Sequence, residues 1–160
     1  LAERGYAVTA LTGKPEHADY LKALGASEVL DRRELDYGTR PMETARWAAA
    51  IDNLGGDALT WLTRTAAYGA GIACVGLAAG PELHTSVLPL ILRAVSLLGI
   101  NSVDTPRELR RAVWARIAGD LGPRHLERIA PASVTLDQLA SAFSAYLEGS
   151  VLGRTVVELG

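Results

Sequence analysis

Apolar residues along this chain gather in short unbroken runs that do not alternate with polar ones. Residues 6–11 form such a run between Gly5 and Gly13, and residues 47–51, 71–76 and 95–103 repeat the type, the last broken by Gly99, while residues 27–30 also read as a strand. Runs of this length without alternation predict strands buried on both faces. Between them the spacing changes. Residues 17–24 place Tyr20, Leu21 and Leu24 on one helical face before Gly25, and Leu59, Leu62, Thr63 and Ala66 recur at helical spacing. Pro89 opens a brief helical stretch that ends at Arg93, and residues 1–4 before Gly5 read as the last turn of a helix with a glycine stop. Strands and helices in alternation predict an α/β architecture around a parallel sheet.

The last third reads differently. Pro106 starts an amphipathic helix with Leu109, Val113 and Ile117 on one face and Arg107, Arg110, Arg111 and Arg116 mainly on the other, a solvated face. Thr135 and Gln138 have the spacing of a capping box. The helix after them is expected to bury Leu136, Leu139, Ala140, Phe143, Tyr146 and Leu147. Beyond Gly153, residues 154–159 predict a terminal strand free to pair elsewhere.

Composition narrows the class. The 160 residues are 49% hydrophobic and 21% charged, which is ordinary for a folded domain and excludes a disordered chain. Net charge is −2, so no basic footprint for nucleic acid is present. Cys74 is the single cysteine, which excludes an internal disulfide framework and any cysteine-rich zinc module. No apolar run reaches the length of a membrane span and no basic-then-apolar leader is seen, so a cytoplasmic protein is expected.

Candidate chemistry centres on Thr12-Gly13-Lys14, directly after the first strand. In a dinucleotide fold the end of the second strand faces the adenosine ribose. A carboxylate there binds the 2′-hydroxyl of NAD, whereas cations and hydroxyls accept the 2′-phosphate of NADP. Thr12 and Lys14 without a carboxylate favour NADP, and Arg32 at the end of the next strand supplies a second cation. A solvated turn is the alternative. The glycine-rich loop of that fold belongs about 20 residues earlier, upstream of Leu1. The expected fold is therefore a Rossmann-like, doubly wound parallel sheet lacking its first strand and glycine-rich loop. Gly69-Ala70-Gly71 is no substitute, because it precedes a strand where a phosphate loop opens a helix; it is read as a turn into the strand. Gly76-Leu77-Ala78 ends a strand, where backbone groups suit a nicotinamide amide or simply form a loop. Asp52 also ends a strand and reads equally as a cap or a site residue. His17, His84 and His125 have no metal-ligand spacing, and Cys74 reads as a buried thiol.

A family resemblance then gathers these pieces. Tyr20-Leu21-Lys22-x-Leu24-Gly25-Ala26-Ser27-x-Val29-Leu30 resembles the region after the second strand of quinone-oxidoreductase-type medium-chain dehydrogenases/reductases. Arg46-Trp47-Ala48-x-Ala50-Ile51-Asp52, Cys74-Val75-Gly76-Leu77-Ala78, Pro89-x-Ile91-Leu92-Arg93, Gly99-Ile100-Asn101-Ser102-Val103 and Gly153-Arg154-Thr155-Val156-Val157 follow in order. That ordered set, spanning nearly the whole chain, is similar to the acryloyl-CoA reductase branch. The chain departs from the branch at Asp104, where Ser-Val-Met-Thr-Pro is the usual string.

The resemblance implies NADPH-dependent hydride transfer to the β-carbon of an enoyl thioester, with a quinone or alkenal as the alternative substrate. It implies Thr12, Gly13, Lys14 and Arg32 at the adenosine 2′-phosphate and Leu77, Ile91 and Ser102 along the nicotinamide side. It implies no zinc and places the catalytic tyrosine in an upstream GroES-like domain, so no catalytic residue is assigned here. Residues 1–130 are then a partial NADP-binding domain, and residues 131–160 a helix and strand, the strand returning to the upstream domain. A homodimer through the last sheet strand, about residues 97–103, is implied as well. The 160 residues alone are expected to be inactive, or to serve only as a structural or dimerisation piece.

Overall fold

A computed structural model describes residues 1–159. A 3-10 turn at Ala2–Arg4 ends at Gly5, whose φ of 82° is the left-handed stop the sequence predicts. The elements that follow are β1 (Thr9–Thr12), a 3-10 turn Pro15–His17 running into α1 (Ala18–Ala23), β2 (Glu28–Asp31), β3 (Trp47–Asp52) and α2 (Gly56–Thr65). Then come β4 (Ala66–Cys74), α3 (Leu88–Leu92), β5 (Ser96–Gly99), α4 (Arg107–Ala118) and α5 (Leu126–Ile129). The chain closes with β6 (Ala132–Thr135), a 3-10 turn Leu136–Gln138, α6 (Leu139–Leu147) and β7 (Thr155–Glu158).

Every strand pairing is parallel. One ladder joins β1 to β2 and a second runs β3-β4-β5. In a doubly wound sheet of order 3-2-1-4-5-6, β2 and β1 take the places of strands three and two, and β3, β4 and β5 those of four, five and six. No ladder joins β1 to β3 among the described residues, and strand one of that order belongs between them. The sequence expectation of a Rossmann-like fold built on parallel strands holds.

The core sits on the second ladder. Leu59 of α2, Ala66, Ala70 and Ile72 of β4, and Val95 before β5 form one buried cluster. Trp61 packs edge-on against Trp47 and Tyr37, with ring centroids 5.5 and 6.0 Å away. Arg93 fastens the end of α3 to this body. Its guanidinium donates to the carbonyls of Arg64 and Ala66, both at 3.0 Å, and to that of Glu43 at 2.6 Å. The half-buried guanidinium thereby ties the segment before β3 to the end of α2 and the start of β4.

The structure corrects several sequence readings. Ala66 starts β4 and does not continue the helix. Gly69, with φ of 75°, lies inside β4, where the register jumps from Trp47↔Ala66 to Ala49↔Gly71. The glycine triplet is therefore a bulge within the strand, and glycine is needed there because an L side chain rarely adopts that φ. The strand expected at residues 95–103 pairs only over Ser96–Gly99. β6 escaped the sequence reading, since Ala132-Ser133-Val134-Thr135 is a short polar-edged stretch; it pairs with β7 inside the chain. The helix around residues 136–147 forms, and Gln138 Oε1 accepts the Thr135 N–H at 3.1 Å as the capping box requires. Its apolar face is bare, however: Leu136, Phe143, Tyr146 and Leu147 are exposed, as are Leu109 and Val113 of α4. No helix among the described residues is long and apolar enough to cross a membrane.

Candidate functional site

The C-terminal end of β1 carries the cationic cluster. Thr12 is the last residue of β1 and lies opposite Asp31 in the parallel ladder, so the residue after each strand emerges on the same edge. The Arg32 N–H donates to the Thr12 carbonyl at 2.8 Å, extending the ladder by one bond and fixing where Arg32 leaves it. Thr12 Oγ1 accepts the backbone N–H of Lys14 at 3.0 Å, folding Thr12-Gly13-Lys14 into a hydroxyl-closed turn. Gly13 makes room for Arg32: a Cβ there would stand 2.6 Å from Nε of the guanidinium. Lys14 is half-buried, and its Nζ donates to the Val151 carbonyl at 2.9 Å. Asp31 is turned into its own loop, its Oδ1 accepting the Arg33 N–H at 2.9 Å. Thr12, Gly13, Lys14 and Arg32 are thus brought together, two cations and a hydroxyl on one strand edge.

Beside them a cavity of about 250 Å³ is lined by Arg32, Arg33, Tyr37, Leu54, Asp57 and Ala79, with Ala58 at its wall. Tyr37 Oη donates to the Arg32 carbonyl at 3.1 Å. Burial pushes the Tyr37 phenol up from its ordinary range, with Arg32 pulling it down and Asp57 adding to the rise, so it remains a neutral hydroxyl. Sequence reasoning missed Tyr37, which sits in a polar stretch with no periodicity to mark it. The burial that makes it part of the site comes from Trp61, on a helix more than twenty residues away.

The ends of β3 and β4 form a second part of the same edge. Asp52 is buried, and its Oδ1 and Oδ2 accept the N–H groups of Leu54 and Gly55 at 3.2 and 2.9 Å. Its carbonyl takes the N–H groups of Val75 and Gly76 at 2.8 and 3.3 Å. Asp52 therefore closes the turn after β3, a structural role. The Gly55 backbone bridges Gly80, and a Cβ on Gly55 would stand 2.2 Å from the Gly80 carbonyl oxygen. A Cβ on Gly76 would meet the Asn53 carbonyl at 2.8 Å. The backbone N–H groups of Gly76, Ala78 and Ala79 are all used in zipping these two loops together. Leu77, Ile91 and Ser102 are exposed on three separate segments after β4, on α3 and after β5. Cys74 ends β4, and burial followed by the nearby Asp52 carboxylate pushes its thiol up from the usual range. A neutral thiol is a weak nucleophile.

The chain is similar to proteins with known structures. It is 45% identical over 161 residues to the acrylyl-CoA reductase AcuI of Ruegeria pomeroyi, covering 99% of this chain and 48% of that one. The crystal structure of the yhdH oxidoreductase from Salmonella enterica in complex with NADP superposes with a TM-score of 0.92 at 38% identity, over 100% of this chain and 49% of that one. Bacillus subtilis protein yhfP, crystallised with NAD bound, gives a TM-score of 0.93 at 42% identity, over 99% of this chain and 48% of that one. The chain spans about half the length of the curated relatives it matches. The family described as zinc-binding dehydrogenase matches residues 1–119. The donors on this chain do not fit zinc: no three His, Cys, Asp or Glu side chains cluster among the described residues, and His17 and His125 each lie beside a single recorded carboxylate, Glu16 and Glu127. Fold, ordered motifs and relatives agree, and the chain belongs to the zinc-binding dehydrogenase family within the medium-chain dehydrogenases/reductases.

Proposed function

We propose that this chain is the nucleotide-binding half of an NADPH-dependent oxidoreductase that reduces an activated carbon–carbon double bond, such as that of acryloyl-CoA to give propanoyl-CoA. The carrying observation is the edge formed by Thr12, Gly13, Lys14 and Arg32, which brings two cationic residues and a hydroxyl to one strand end, while Asp31 Oδ1 is turned to the Arg33 backbone N–H. This donor set fits a phosphate dianion, and no carboxylate stands within Thr12-Gly13-Lys14 to take a ribose hydroxyl pair. The relatives named for acrylyl-CoA reduction and for NADP binding support the same reading, while the NAD-bound relative makes the cofactor choice worth testing.

Bound NADPH supplies a hydride from its nicotinamide ring. The protein's part is to hold and orient. Lys14 and Arg32 grip the 2′-phosphate, the latter with a planar fork matched to phosphate oxygens. Gly13 keeps the approach open for that fork. Leu77, Ile91 and Ser102, just past β4, on α3 and just past β5, are assigned to the nicotinamide side. Asp52 acts through others: it fixes the turn after β3, and the glycine contacts carry that position to the loop bearing Leu77. The catalytic acid is assigned to a further domain, with residues 131–160 at the junction and homodimerisation through β5. On this reading the 160 residues alone do not turn over, and the complete enzyme works in the cytoplasm.

Lys14→Glu in the complete enzyme tests the assignment. NADPH affinity is expected to fall by roughly 30-fold or more, the scale of losing a charge-assisted contact, while NADH affinity stays within about twofold. Equal NADPH affinity in both proteins would sink it. A quinone substrate in place of an enoyl thioester is distinguished by turnover of acryloyl-CoA against a quinone.

A further inference from the structure

The ammonium of Lys14 is held by a segment 137 residues away in sequence, and that segment is itself fixed at both ends. At its start, α6 closes in a Schellman arrangement. The Ser150 N–H reaches the Ala145 carbonyl at 3.0 Å, the Gly149 N–H reaches Tyr146 at 3.1 Å, and Gly149 has φ of 68°. At its end, Gly153 has φ of 78°, and a Cβ there would stand 2.5 Å from the Ile129 carbonyl oxygen and 3.3 Å from the Tyr20 hydroxyl. The Arg154 N–H takes that same Ile129 carbonyl at 2.6 Å. Tyr20 belongs to α1, the helix that follows Lys14, and its Oη donates to the Arg128 carbonyl at 3.2 Å. Between these two anchors the Val151 carbonyl presents itself to Nζ.

We infer that residues 149–153 form a positioning strap for the 2′-phosphate site, with the Val151 carbonyl holding Lys14 in its binding rotamer. An ammonium has three N–H donors, and the carbonyl takes one, leaving two for phosphate oxygens. A carbonyl orients the group without cancelling its charge, as a carboxylate partner does. Lysine otherwise has four rotatable bonds to order at the moment of binding, and a side chain ordered beforehand loses less freedom. The strap thus sharpens preference for the phosphorylated cofactor and touches nothing of the cofactor itself. The inference rests on Lys14 lying at the 2′-phosphate.

Calorimetric titration of the complete enzyme with 2′,5′-ADP and with 5′-AMP separates the two readings. Gly153→Ala forces the strap away from Ile129 and is expected to weaken 2′,5′-ADP about tenfold, with 5′-AMP unchanged within about twofold. Where that variant loses its fold by circular dichroism, an amide-to-ester replacement at the bond between Val151 and Leu152, made by ligation near the C-terminus, weakens the Val151 acceptor and removes only the Leu152 N–H, and is expected to act in the same direction. Lys14→Ala lowers 2′,5′-ADP affinity, and adding either strap change to it gives no further loss. A Lys14→Ala loss with no loss from the strap variants overturns the strap and leaves the phosphate assignment standing. No loss from Lys14→Ala overturns both.

Discussion

Residues 52–95 and residues 107–159 carry similar amphipathic patterns and reach opposite environments. Every buried residue among those described lies between Asp52 and Val95. α2 buries Ala58, Leu59, Thr60, Trp61, Thr63 and Thr65, whereas α4 and α6 bury none. The difference lies in what stands opposite. α2 returns antiparallel over two strands that its own flanks supply, so the apolar side finds β3 and β4 by chain connectivity alone. α4 and α6 are flanked by turns and by a two-stranded ribbon, which cannot cover an apolar face. An apolar stripe tells which face of a helix avoids water; it does not tell whether the same chain provides the cover.

Four substitutions break or sharpen the contrast. The largest effect is expected from Ile72→Ala, since Ile72 is 1% exposed in the cluster of the second ladder; a loss of about 2–5 kcal/mol follows from cavity formation. Leu109→Ala on α4, at 55% exposure, is expected to cost below about 1 kcal/mol. Urea midpoints of the two variants measure the gap, and equal shifts would show that α4 is as well packed as β4. Next comes Thr63→Val. The Thr63 hydroxyl donates to the Thr60 carbonyl at 2.7 Å and meets Thr85 Oγ1 at 2.8 Å, so valine strands the Thr85 hydroxyl at a cost of about 1–2 kcal/mol. Ser141→Ala removes a comparable 2.6 Å bond to Gln138 on the exposed α6 and is expected to change the midpoint by less than about 0.5 kcal/mol.

The smallest effect concerns Cys74, whose folded-state thiol is raised by burial and Asp52. The unfolded chain gives up this proton first. The contribution is therefore fully present below the unfolded value and is lost as pH rises through the folded one. Comparing wild type with Cys74→Ala from about pH 8 to about pH 10 is expected to show the wild-type midpoint falling faster. Parallel curves would mean the thiol is solvated like that of the unfolded chain.

Legibility in the sequence follows the same divide. The runs at residues 47–51 and 71–76 announce strands by being apolar without alternation, although Ile51 and Val75 are exposed. Thr12, Gly13, Lys14 and Arg32 were readable as a cluster because parallel strands bring consecutive strand ends to one edge. Bulges were not readable: only the pairing with β3 reveals that Gly69 sits inside β4. Nor was the Val151 contact, because nothing local in Ser150-Val151-Leu152 marks a carbonyl that meets a lysine at the other end of the chain. β6 was hidden by its neighbour's capping box, two signals sharing Thr135.

The facing glycines of the loops after β3 and β4 have a practical side for anyone exchanging parts between relatives. With Gly55 against the Gly80 carbonyl and Gly76 against Asn53, neither loop tolerates a side chain that the other has not made room for. The two segments form one hereditary unit. A graft that imports either loop alone brings in a collision, while a graft of residues 53–56 together with residues 76–80 carries its own fit.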